Sequence, residues 1–194
     1  MLQNLQDGYQ DRASRFGGAA GRKERIVGSY KVGDKVVYAP HGAGVVIETT
    51  YRDDDFGEYL SIHITHSNMT LMVPANVAEE KGVRPVIAAT RAKKLLKSLK
   101  DEGEALPDNP QMRTREGVER TKTADADEIA SVLRDYTELE RGGKKLSATE
   151  QRTLMQAKSL FAGELALVED IEVNDALVRI ELALGNDPED AASA

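Results

Sequence analysis

The hydrophobic pattern of this chain changes period once, near Arg84-Pro85, and that switch limits it to few architectures. Before it, "YKVGDKVVYA", "GAGVVIETTYR", "EYLSIHITH" and "MTLMVPA" are rich in valine, isoleucine, threonine and tyrosine. Such residues suit a pleated, half-buried surface. Turn formers separate the segments at Val32-Gly33-Asp34, Pro40-His41-Gly42, Asp53 to Gly57 and Ser67-Asn68. Four or five short strands in about 50 residues predict a small, strongly bent antiparallel barrel.

After the switch the spacing is helical. "VIAATRAKKLLKSLK" predicts a helix, and "DEGEALPDNPQ" interrupts it with two prolines and a glycine. "DEIASVLRDYTELER" sets Ile129, Val132, Leu133, Tyr136 and Leu139 on one stripe, and Gly142-Gly143 ends that helix. "SATE" at 147–150 reads as a capping box, Ser147 the cap and Glu150 three residues on. The helix it opens is expected to bury Leu154, Ala157, Leu160, Phe161 and Leu165. Asn174 is the expected cap of a last helix holding Leu177, Ile180 and Leu184. The predicted class is α+β, an antiparallel β-barrel followed by an all-helical domain. Residues 1–28 read as a flexible extension, 29–84 as the β domain, 85–186 as the helical domain and 187–194 as an acidic tail.

Composition narrows the function classes. Charged residues make up 30% of the chain and hydrophobic ones 40%. No run approaches the roughly 18 apolar residues of a membrane span, and no secretory leader is evident, so a cytoplasmic protein without a membrane partner is expected. Cysteine is absent, which removes disulfides, thiolate metal sites and cysteine nucleophiles. The net charge is −7, but residues 91–122 hold nine basic and six acidic side chains, a balance of +3. Residues 123–194 hold seven and sixteen, or −9. A basic belt thus interrupts an acidic protein, and phosphate backbones respond to such local potential.

"VVYAPHGAGVVI" at 36–47 is the segment that most resembles a ligand loop. A phosphate-cradling loop needs a helix after its glycines, whereas "VVIETTY" follows here as a strand. Gly42 and Gly44 are therefore expected to supply positive φ or a bulge. His63 and His66, three apart in a strand, should face opposite ways, and Asp53 to Asp55 lack the spaced oxygens of a cation loop. Neither a metal nor a cofactor is expected, and no catalytic constellation stands out.

Four stretches in order carry a family likeness. "YKVGDKVVYAPHGAGVV", "MTLMVPANVAEEKGVRPVI", "IASVLRDY" and "LSATEQRTLMQAKSLFAGELAL" resemble the CarD/CdnL family of bacterial RNA polymerase-binding transcription regulators. The resemblance implies a Tudor/SH3-like barrel that docks on the polymerase β subunit. It also implies a helical domain that touches promoter DNA at the upstream edge of the bubble, through minor groove or backbone. Family members stabilise the open promoter complex and catalyse nothing themselves; a monomer is expected, placed near the nucleoid through polymerase. By position, Arg52 matches a polymerase-contacting residue, and an edge strand around Val45 to Arg52, with Val46, Glu48 and Thr50, or around Leu60 to Thr65, is expected to meet polymerase. Arg113, Arg115, Arg152 and Lys158 are the expected DNA contacts. The family's wedge tryptophan is missing: "PDNPQMRTRE" puts Pro110 there, with Pro110 or Met112 as substitute wedge, or the segment is only a linker. The alternative reading is a polymerase-binding module whose helices recruit another protein.

Overall fold

The computed structural model describes residues 30–39 and 41–186. The expected extension at 1–28 and tail at 187–194 lie outside the described residues. Five strands come first: β1 (Lys35–Tyr38), β2 (Gly42–Tyr51), β3 (Glu58–Ile64), β4 (Met69–Pro74) and β5 (Val83–Pro85). They form one antiparallel sheet in the order β4-β3-β2-β1-β5, with a 3-10 turn at Ala75–Val77 leading back to β1. Leu60, Ile62 and Ile64 alternate along β3 and pack with Val36, Val46, Val73 and Val83 in one cluster. A register shift between Val46 and Glu48 bulges β2 at Ile47, which bends the strand so that the sheet wraps this core.

The glycine motif is architectural, as its context requires. Gly42 holds φ +103°, and a side chain there would press on the His66 ring. The bulge falls three residues past Gly44. β5 extends the sheet beyond the expected boundary, its Pro85 tolerated because β5 is an edge strand.

Five helices follow: α1 (Ala89–Ser98), α2 (Pro110–Lys122), α3 (Ala126–Arg141), α4 (Ala148–Glu169) and α5 (Val173–Leu184). The α3 and α4 stripes are buried as their spacing predicts, Leu139 alone being partly exposed. The capping box forms: Ser147 Oγ accepts from the Glu150 amide, and Glu150 accepts from the Ser147 amide. Two expectations fail. Asn174 does not cap α5, because the helix begins at Val173, two residues earlier than such a cap would set, with Glu172 at the cap and no side-chain cap bond. The expected break at 101–111 and the stretch 107–116, offered as a wedge or a linker, both run into a helix, α2, which begins at Pro110. Its signal was Asn109-Pro110: the Asn109 side-chain Oδ1 accepts from the Gln111 amide at 2.9 Å, and proline suits the first helical position.

Sheet and helices share a packed seam. Val37 and Ala43, on the sheet face away from the β core, cluster with Ala124 and Leu167. Arg84 on β5 donates two hydrogen bonds to the Glu164 carboxylate of α4, at 2.6 and 2.8 Å, and a third to the Ala124 carbonyl at 2.6 Å. Glu164 also accepts from the Ile87 amide at 2.9 Å. Lys35 donates to the Leu167 carbonyl at 2.7 Å. Burial of a carboxylate requires such complete pairing.

Candidate functional site

Arg52 sits just past β2, its amide bonded to the Gly57 carbonyl at 2.6 Å across the hairpin. The guanidinium carbon lies 5.1 Å from the Tyr59 ring centroid, and one nitrogen points at the Met72 sulfur from 3.3 Å. Tyr59 is itself fixed, donating to Asp54 at 3.0 Å. Asp54 accepts further from the Phe56 and Gly57 amides. Its slight desolvation is outweighed by these bonds and the Arg52 charge, which hold the carboxyl below its usual range. Arg52 is therefore braced between an aromatic face and a thioether before any partner arrives.

Sheet register explains which neighbours share that surface. Thr50 stands opposite Tyr59, and Glu48 opposite Ser61, which in turn faces Met72. Glu48, Thr50, Tyr59 and Met72 thus lie on one face of the sheet. Tyr51 and Phe56 are exposed around the same end, Tyr51 by 65%. The sequence names Arg52, Glu48 and Thr50 for this surface; that Tyr59 and Met72 lie beside them could have been read from their period-2 outward positions.

Two expectations about this surface are corrected. Val46 is fully buried, and its amide and carbonyl bond to Asp34 and Gly33, so neither side chain nor backbone is open. Leu60 to Thr65 is not an edge, because β3 lies between β2 and β4. The open edges near Arg52 are β4 and the half of β2 beyond Val46, where β1 pairing has ended.

The second candidate surface lies where α2 and α4 begin. Pro110 and Met112 are exposed at the start of α2, Met112 by 56%. Pro110, Gln111, Thr114, Arg115, Val118 and Ser147 line an open groove of about 460 Å³. Arg115 and Arg152 are exposed beside the adjoining helix starts, with no ion pair among the described residues. Their charges add to the positive ends of two helix dipoles.

The structure withdraws two of the expected cations from solvent. Arg113 is 5% exposed, donating Nε to Glu150 at 2.6 Å and Nη1 to the Pro107 carbonyl at 3.1 Å. It ties α2 to α4 and has no free face for phosphate. Burial opposes ionisation of Glu150, but bonds from Arg113 and Ser147 win and hold its carboxyl below the usual range. Tyr136 donates to the Arg113 carbonyl, and burial beside Glu150 pushes its phenol up to about 12. Lys158 is likewise consumed, its ammonium 2.6 Å from the buried Glu181 carboxylate of α5. Both placements convert expected DNA contacts into internal ties. Their partners lie 37 and 23 residues away in sequence, beyond any local pattern.

No group of three or more acidic or histidine side chains placed to hold a metal occurs among the described residues. No helix among them is long and apolar enough to cross a membrane.

Comparison with known proteins agrees with this geometry. Residues 30–87, the sheet and its approach to α1, match the family described as CarD-like/TRCF RID domain, which indicates interaction with RNA polymerase. Residues 94–181 match CarD, C-terminal domain. The chain is 29% identical over 145 residues to a Bacillus subtilis (strain 168) protein described as "Putative transcription factor YdeB". That alignment covers 73% of this chain and 94% of the relative. With both parts matched in order, and with a curated relative that spans them, the chain belongs to the CarD/CdnL family of transcription regulators.

Proposed function

We propose that the protein docks on the β subunit of RNA polymerase through the Arg52 surface and steadies the open promoter complex with its helical part. The braced Arg52, set among exposed Tyr51, Phe56 and Met72 beside open strand edges, is the observation that carries the reading. Interfaces are anchored by aromatic, methionine and arginine side chains of this kind, and a free edge accepts a partner strand. The sheet, which ends with β5 at Pro85, and the helices that follow it act as two functional units. Once the sheet is docked, Arg115, Arg152 and Met112 sit near DNA at high effective concentration, so weak backbone contacts suffice. Met112 is the better wedge candidate, because Pro110 is committed to the first turn of α2. A tenfold preference for melted over closed promoter corresponds to about 1.4 kcal/mol, within reach of a few such contacts.

Capture of purified polymerase β by wild type and by Arg52→Glu tests the docking. The charge reversal is expected to weaken capture at least tenfold without altering the melting temperature; equal capture would remove Arg52 from the interface. Open-complex lifetime, followed by fluorescence during promoter melting, tests the outcome. Firm polymerase capture with an unchanged lifetime would favour a pure interaction module instead.

A further inference from the structure

The structure sorts the basic belt at 91–122 into engaged and free cations. Arg91 pairs with Asp127, Arg113 with Glu150, Arg120 with Glu128 and Asp135, and Lys122 with Glu119. Lys93, Lys94, Lys97 and Lys100 carry no ion pair among the described residues, and all four are exposed. They belong to α1 and the turn that ends it. At 3.6 residues per turn they occupy one contiguous arc of about 120°, beside the face formed by Ala92, Leu95 and Leu99. Along the axis they span about 10 Å.

We propose that this lysine ridge is a second contact for the phosphate backbone of duplex DNA. The inference rests on the DNA-contacting reading above and adds to it a surface that the resemblance does not include. Three observations select DNA as the occupant over an acidic protein. The cations are all lysines, compact point charges suited to backbone neutralisation and lacking the fork that grips a carboxylate. None of the large exposed apolar side chains lies on α1, whereas protein interfaces need apolar or aromatic anchors and are poor in lysine. Finally, a positive ridge on a chain of net charge −7 creates a strongly oriented field, which draws a polyanion to one face only. Asp101 and Glu102, exposed directly after the ridge, mark its end.

The test uses the full chain and a labelled duplex without promoter sequence, with affinity measured across a salt series. Each neutralised phosphate adds about 0.9 to the slope of log affinity against log salt, so K93Q/K94Q/K97Q/K100Q should lower it by about 2 to 4. It should also weaken binding at least tenfold at low salt, while polymerase capture stays at the wild-type level. R115Q/R152Q serves as the comparison. If the quadruple variant keeps the wild-type slope while the double variant loses it, the ridge proposal is overturned and the upstream contact stands. If the quadruple variant instead loses polymerase capture with its DNA slope intact, the ridge faces protein and the proposal is overturned. If wild type shows no salt-dependent duplex binding, both readings fall.

Discussion

Arg113 shows how one side chain can carry charge without offering it. Its guanidinium is closed on both sides by Glu150 and the Pro107 carbonyl. Removing one partner of a buried pair strands the other, so Arg113→Ala should cost about 3 kcal/mol in urea unfolding. The double variant Arg113→Met/Glu150→Gln should cost less than the sum of the single changes, since no charge is left stranded. The pH dependence has a definite sign. Folding lowers the Glu150 pKa, so its contribution is full above the ordinary glutamate value and is lost as pH falls from there through the lowered folded-state pKa. Urea midpoints of wild type and Glu150→Gln should therefore converge as the solution is acidified. Of this site, the Ser147–Glu150 box was legible because both members lie within one turn; the Arg113 tie was not, because it spans two helices.

At the scale of elements, legibility followed periodicity. The four long strands and helices α3 and α4 have regular apolar spacing, and the structure keeps it. Helix α2 has almost none; it buries Arg113, Gly117 and Thr121 in place of a hydrophobic stripe. Gly117 leaves room for the Tyr136 hydroxyl, which any side chain there would strike. A helix that packs through polar and glycine positions writes no stripe in its sequence, and only its Asn109-Pro110 start announced it. The seam between sheet and helices was equally silent, since Arg84 and Glu164 are 80 residues apart. Its strength is testable: Arg84→Ala leaves Glu164 buried against the Ile87 amide alone and should cost about 2 kcal/mol. Arg84→Lys should recover little, because one ammonium cannot reproduce a fork that serves a carboxylate and the Ala124 carbonyl together. Thermal unfolding of the three proteins checks both statements.

Over the whole molecule the charges are segregated: the basic belt is followed by 72 residues with a balance of −9. The polymerase-side and DNA-side candidates occupy different elements, Arg52 at the end of β2 and Arg115 on α2, and the Arg84–Glu164 clamp lies between their halves. Breaking that clamp should leave each single binding step intact and still abolish their joint effect. A short Gly-Ser insertion between Pro85 and Ile87 is accordingly expected to preserve polymerase capture and duplex affinity while returning open-complex lifetime to the unassisted value. An undiminished lifetime would show that tethering alone suffices.

On the proposed reading, the clamp makes the protein a ruler. With its ends held at a set span, a template whose melted boundary lies off the graduation gains nothing from it, however tightly either end holds on its own.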